Sequence, residues 1–264
     1  MSPWSPTFEP LFAVLGAVAV WLYVRGWRQA ERRPPAWRAW LFGLGTGLLV
    51  VALNSPLETI AVEHLLLVHL LQNVVISDWA PPLLLLGLTP AMRAAVAASL
   101  GAWFAWITRP AVALPVWLGG WYAIHLGVIY DAFLRTPLLL NLEHLILIAI
   151  GLLFWWPVLC DAPRAVSTLA RLAYVFAAFV GSAFLGLALT FSPPVYGHYE
   201  DLPRRLWGIS AEADQNLGGI LMSTEQALVF LAAIVWLLLR LFREEEAEEE
   251  RLAAEQRADG LRDH

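Results

Sequence analysis

Cysteine is nearly missing from this chain. Cys160 stands alone, which excludes an internal disulfide and any Cys-x-x-Cys metal or redox motif. Methionine is scarce: Met1, Met92 and Met222 offer few soft ligands for Cu(I). Lysine is absent, so all 17 basic residues are arginine. No large basic surface is present, which argues against nucleic acid as a partner. The first apolar run has no basic stretch in front of it. Its arginines follow it, so it reads as an anchor and not as a cleavable signal. The net charge of −5 is local. Residues 243–264 hold nine acids and four arginines, and the rest of the chain carries thirteen of each sign.

What is abundant is apolar. Of the 264 residues 59% are hydrophobic, too many for an ordinary soluble domain. Repeated apolar runs of roughly 18–25 residues predict an all-α, polytopic membrane protein whose partner is the lipid bilayer. Seven helices are expected in one bundle: Phe8–Trp27, Trp37–Asn54, Thr59–Ile76 extending to Leu88, Ala111–Ile129, Leu138–Val158, Ala170–Phe191 and Leu217–Phe242. Residues 1–242 form the membrane domain and 243–264 a charged, solvated tail. Arg25, Arg28, Arg32, Arg33 and Arg38 share one side with Arg93, Arg109, Arg164, Arg171, Arg240 and Arg243. The opposite loops hold only Arg135, Arg204 and Arg205. Positive-inside bias then puts the N-terminus outside and the C-terminus in the cytoplasm. Trp27, Trp37, Trp40, Trp155 and Trp156 fit an aromatic belt on the cytoplasmic side.

Pro81-Pro82 removes two donors inside the third segment, which predicts a break or kink there. Residues 89–109, rich in alanine with two Trp, suit the cytoplasmic interface. Gly43-x-x-x-Gly47 and Ala178-x-x-x-Ser182-x-x-x-Gly186 put small residues on single faces, as close-packed membrane helices do.

Five of the six histidines fall at one depth on the extracytoplasmic side: His64, His69, His125, His144 and His198. His264 is terminal and carries no signal. Ionisable groups are expensive in hydrocarbon and mark a working site by default. His69, Gln72 and Asn73 share a helix face, while His64 lies about 140° away from His69. Asn141 and His144 share another face beside Glu143. Asp131 follows His125, the seventh helix starts after Asp214-Gln215, and Glu225 lies about two turns into it.

Two readings stand side by side. In one, His69, His125 and His144 ligate a metal, with His64, Gln72, Asn73, Asp131, Asn141, Glu143, Asp214, Gln215 and Glu225 as its supporting pocket. In the other, the same groups form a metal-free polar network that ties helices together or passes protons. A zinc-dependent intramembrane hydrolase is a further alternative, with Asp131 or Glu143 as base.

The pattern as a whole resembles the seven-helix CtaG-type (caa3-type) cytochrome c oxidase assembly factors, from about Glu63 to Met222. The matching pieces are His69, Gln72, Ala80-Pro81-Pro82-Leu83-Leu84 and Gly87, then His125, Tyr130-Asp131, Glu143-His144, Gly151 and Phe154-Trp155-Trp156-Pro157-Val158. Tyr196, Tyr199, Asp214-Gln215, Gly218-Gly219 and Met222 complete them. Asn73 and Asn141 stand where the family has histidines, and Asp78 and Glu225 are not carried over from it. The resemblance implies a non-enzymatic, multi-pass protein of the bacterial inner membrane. It implies cytochrome c oxidase subunits as partners, with copper as the metal handled and zinc as the alternative. Asn ligates copper or zinc poorly beside imidazole, so the two replacements weaken the site.

Overall fold

The computed structural model describes residues 2–260, and His264 lies outside them. Among the described residues regular structure is helical throughout. The elements run α1 (Pro10–Arg28), α2 (Ala36–Leu53), a short α3 (Pro56–Glu63) and α4 (Leu66–Val74). A π-turn (Val75–Trp79) leads directly into α5 (Ala80–Gly87), followed by α6 (Pro90–Ile107), α7 (Pro110–Ile124) and α8 (Gly127–Phe133). Then come α9 (Pro137–Leu159), α10 (Thr168–Phe191), α11 (Gly197–Glu200) and α12 (Ala211–Gly260). Six helices are long and apolar enough to cross a membrane, or seven if the bent pair α6 and α7 counts as one span. The chain is a multi-pass membrane protein, and its exposed apolar side chains, such as Phe176, Phe184, Leu228 and Leu231, cover the spans' outer faces.

Helix starts follow from local chemistry. α1, α3, α6, α7 and α9 carry proline in the first turn, where its missing N–H would have had no partner. Ser55, Thr89, Thr136 and Ser167 cap their helices by accepting a backbone N–H.

The third segment differs from its sequence reading. The break falls at His64-Leu65, ahead of α4, and not at Pro81-Pro82. Leu65 is extended, and the free N–H groups of Leu66 and Leu67 donate to the Asp214 carboxylate at 2.9 and 2.8 Å. A side chain 148 residues away thus makes the break possible. The prolines pass without a break because the π-turn precedes them. Pro81 frees the Ser77 carbonyl, and α9 meets it with Gly151, where any Cβ would collide with that oxygen.

Other boundaries shift too. α7 stops at Ile124, with His125 as its cap, so Gly127–Phe133 is a separate helix and not the end of the fourth span. An 80° bend separates α6 from α7, so the two do not share one axis. α12 continues unbroken past Phe242 into the charged tail.

Packing confirms one small-residue face and corrects the other. Ala178, Ser182 and Gly186 are buried, and Gly186 lies against Gly219 and Ser223 where α10 meets α12. Gly43 and Gly47 are exposed with nothing near them; α2 instead approaches α5 through Gly45. Trp37 and Trp40 are exposed as a belt requires, whereas Trp155 and Trp156 are buried in the core. Tandem tryptophans at a helix end look alike in sequence whether they face lipid or core.

Candidate functional site

One end of the bundle is polar inside. The starts of α4, α9 and α12 meet there with the ends of α2 and α7, closed by α8 and α11. Tyr199, on α11, donates its hydroxyl proton to the Ala61 carbonyl at 2.6 Å. Burial pushes the Tyr199 hydroxyl well above the usual tyrosine range, so it keeps that proton. The same oxygen stands 2.8 Å from His69 Nδ1. With its own proton committed, Tyr199 accepts, so His69 carries its proton on Nδ1 and has a lone pair on Nε2. That Nε2 faces Glu143 Oε1 at 3.6 Å. Glu143 Oε1 also accepts the Asn73 amide at 3.1 Å.

His144 lies next to this group, with its ring 6.1 Å from that of His69 and 5.9 Å from Phe12. Neither of its ring nitrogens has a hydrogen-bond partner. His125 approaches from the other side of Tyr130, whose ring stands 5.0 Å from His69 and 5.9 Å from His125. His125 Nδ1 donates to the Trp121 carbonyl at 2.8 Å, which leaves Nε2 as a free acceptor.

The unpartnered buried atoms are mostly acceptors. His69 Nε2, His125 Nε2, one nitrogen of His144, Glu143 Oε2 and Asn73 Oδ1 offer lone pairs. The Tyr130 hydroxyl, one N–H of His144 and the Trp121 indole N–H beside His125 are nearby unpartnered donors, fewer than the acceptors. Such an excess suits a cation or protons. Among the described residues, however, no three His, Cys, Asp or Glu side chains are gathered so as to hold a metal ion as they stand. His69, His144 and Glu143 come nearest to it.

The other expected pocket residues have separate work. Gln72 donates to the Ala52 carbonyl at 2.8 Å and to the Glu58 carboxylate. Asn141 donates to Glu9 at 3.0 Å. Asp131 accepts the N–H groups of Gly197 and His198 and so holds the start of α11. His198 donates to the Val62 carbonyl. Asp214 caps α4, and Gln215 clamps the backbone at Leu189, Ser192, Pro193 and Val195. His64 is half-buried at the break, with Nε2 unpartnered and no hydrogen bond to the cluster. Glu225 lies eleven residues beyond Asp214, about 16 Å further along α12. It accepts from the Trp79 indole, away from the histidines.

Glu9 and Glu58 were not evident from sequence, because each sits at the edge of an apolar segment and reaches the site only through tertiary closure. The Ser55-Pro56-Leu57-Glu58 stretch signals only a helix start.

A family model described as "Cytochrome c oxidase caa3 assembly factor" matches residues 21–244. An uncharacterized protein of Mycobacterium leprae (strain TN) is 26% identical over 261 residues. That match takes in 88% of this chain but 39% of the relative, so the chain spans well under half of the relative's length. No solved structure matches.

Proposed function

The chain belongs to the cytochrome c oxidase caa3 assembly factor family, and from that premise we propose that it handles copper for the oxidase through His69, His125 and His144. Copper here is cargo, not a resident cofactor. The observation that carries the reading is the excess of buried acceptors: imidazole lone pairs on His69, His125 and His144 with no hydrogen-bond donor. Imidazole suits copper well. Hydrogen bonds from Nδ1 orient His69 and His125 and leave Nε2 as the ligating atom of each. His69 and His144, beside Glu143, form the first landing point, and His125 lies across Tyr130 as the onward ligand. A delivery site has to release its ion, so a set short of a closed metal cage fits transfer better than storage. The arginine asymmetry puts this end on the extracytoplasmic side of a bacterial inner membrane.

The test is metal content of protein purified without chelator or His-tag, together with oxidase activity in membranes. His144→Ala loses bound copper and active oxidase while oxidase subunits are still made. Glu143→Gln weakens copper affinity on the order of 10–100-fold. Asn73→His raises it, because Asn73 already points at Glu143. If wild type and His144→Ala both lack metal and oxidase assembly is unaffected, the cluster is a structural network and the copper reading fails.

A further inference from the structure

A second polar site lies deeper in the bundle, around Asp78 and Glu225 and away from the histidines. Asp78 is in the π-turn and 1% exposed; Glu225 is on α12 and 7% exposed. Two consecutive residues on one side pair with two on the other. The Gln226 amide donates to Asp78 at 3.4 Å, and the Trp79 indole donates to Glu225. Both carboxyls therefore lie at one level of α12. One oxygen of each, Asp78 Oδ1 and Glu225 Oε2, is buried with no hydrogen-bond partner. Neither carboxyl forms an ion pair with a described Arg or His. The polar groups that do face them are Ser77, Trp79 and Gln226.

The π-turn explains how Asp78 comes to be here. The wider turn rotates it towards α12, while Asn73, one turn earlier, faces Glu143 on α9. Such turns recur at functional sites. A cavity of about 520 Å³ opens beside Glu225, between α4 and α12. Its wall is apolar (Leu71, Leu221 and Leu228 among others) except for Thr224, the Trp79 edge and the Glu225 carboxyl. It opens sideways, along the faces that meet hydrocarbon. An acyl chain lying in it would press methylenes against a carboxyl, so plain lipid leaves Glu225 unsatisfied.

We propose that Asp78 and Glu225 form an intramembrane proton-binding pair that exchanges its proton through this lipid-facing cavity. Two buried carboxyls at one level, each with a free acceptor oxygen and no cation beside it, favour the protonated form: a proton removes the buried charge and turns a free acceptor into a donor. The pair is a site distinct from the copper route and stands or falls without it.

An apolar carbodiimide tests this directly. It takes the carboxyl proton onto nitrogen while the carboxyl oxygen adds to its central carbon, giving an adduct that mass spectrometry locates. Expected is a dicyclohexylcarbodiimide adduct on Glu225 that fades as pH rises between roughly pH 5 and 9. A water-soluble carbodiimide labels acids of the tail but not Glu225. Glu225→Gln removes the adduct, and Asp78→Asn moves the half-labelling point down by about one pH unit, as loss of a like charge does. His144→Ala labels as wild type does, which separates this proposal from the copper reading. Each variant is checked for an unchanged elution profile in detergent. No adduct on Glu225 at any pH, equal labelling by the soluble reagent, or an unmoved half-point in Asp78→Asn overturns the proposal.

Discussion

At Glu58 a carboxyl is enclosed in the first turn of α3. α3 is not among the membrane-crossing helices, yet Glu58 is 2% exposed. Burial pushes its carboxyl up from the usual 4.5 to about 7, against the opposing pull of the Gln72 hydrogen bond. A carboxyl that binds its proton more tightly when folded adds stability below its unfolded value and loses it as pH rises through about 7. The shift is worth about 3 kcal/mol at most. Wild type should therefore melt at progressively lower temperature in detergent from about pH 5 to 8, and more steeply than Glu58→Gln. Parallel melting curves for the two would mean that Glu58 ionises freely where it sits. Glu58 also marks how far the site was legible. His69, His125, His144 and Glu143 declare themselves as ionisable groups in apolar runs. Glu9, Glu58 and the hydroxyl of Tyr199 do not, because their roles arise only when distant segments close over the cluster. Asp131, Asp214 and Gln215 show the opposite limit. They are polar at the right depth, but they bind backbone.

The run from α4 through the π-turn into α5 shows what one element demands of its neighbours. Pro81-Pro82 announced a disturbed helix, and the disturbance is real but lies upstream of the prolines, in the turn that makes room for them. What sequence does not encode locally is the partner: Gly151 on α9 receives the Ser77 carbonyl that Pro81 leaves free. Gly151→Ala should cost about 1–3 kcal/mol, as overpacking against fixed backbone does. Gly43→Ala is the contrasting case. It is exposed with nothing within 4 Å, so relief of glycine's helix penalty should leave it neutral or up to about 1 kcal/mol stabilising. Thermal melting in one detergent compares the two, and equal behaviour would remove Gly151 from the contact. The same pair shows why the small-residue motif on α2 misled. Gly43, Gly45 and Gly47 are alternatives in sequence, and only the register of α5 selects Gly45.

Over the whole molecule the two ends differ in kind. The histidine end spends its polar groups on side chains and loop backbone. At the other end three arginines bind helix-terminal carbonyls. Arg38 donates to the Leu86 and Leu88 carbonyls, Arg93 to those of Leu85 and Leu159, and Arg171 to that of Val158 and to the Asp161 carboxylate. These carbonyls close α5 and α9, where cations complement the helix dipole. Some of the arginines that carry the topology expectation are therefore also structural caps. An odd number of crossings, counting the bent α6–α7 pair as one, separates α1's start from the end of α12. Arginine bias predicts that the capped end and the long tail of α12 lie in the cytoplasm. A reporter joined after Phe242 should work only if it functions in the cytoplasm, and one joined ahead of Pro10 only if it functions outside. Arg93→Ala should leave both readouts unchanged, because many arginines share the bias. It should nonetheless lower melting temperature, because two helix ends lose a charged donor, each such bond being worth about 1.5–3 kcal/mol. A periplasmic reporter active after Phe242 would invert the molecule and move the histidine cluster to the cytoplasmic side, away from the face assumed for copper transfer.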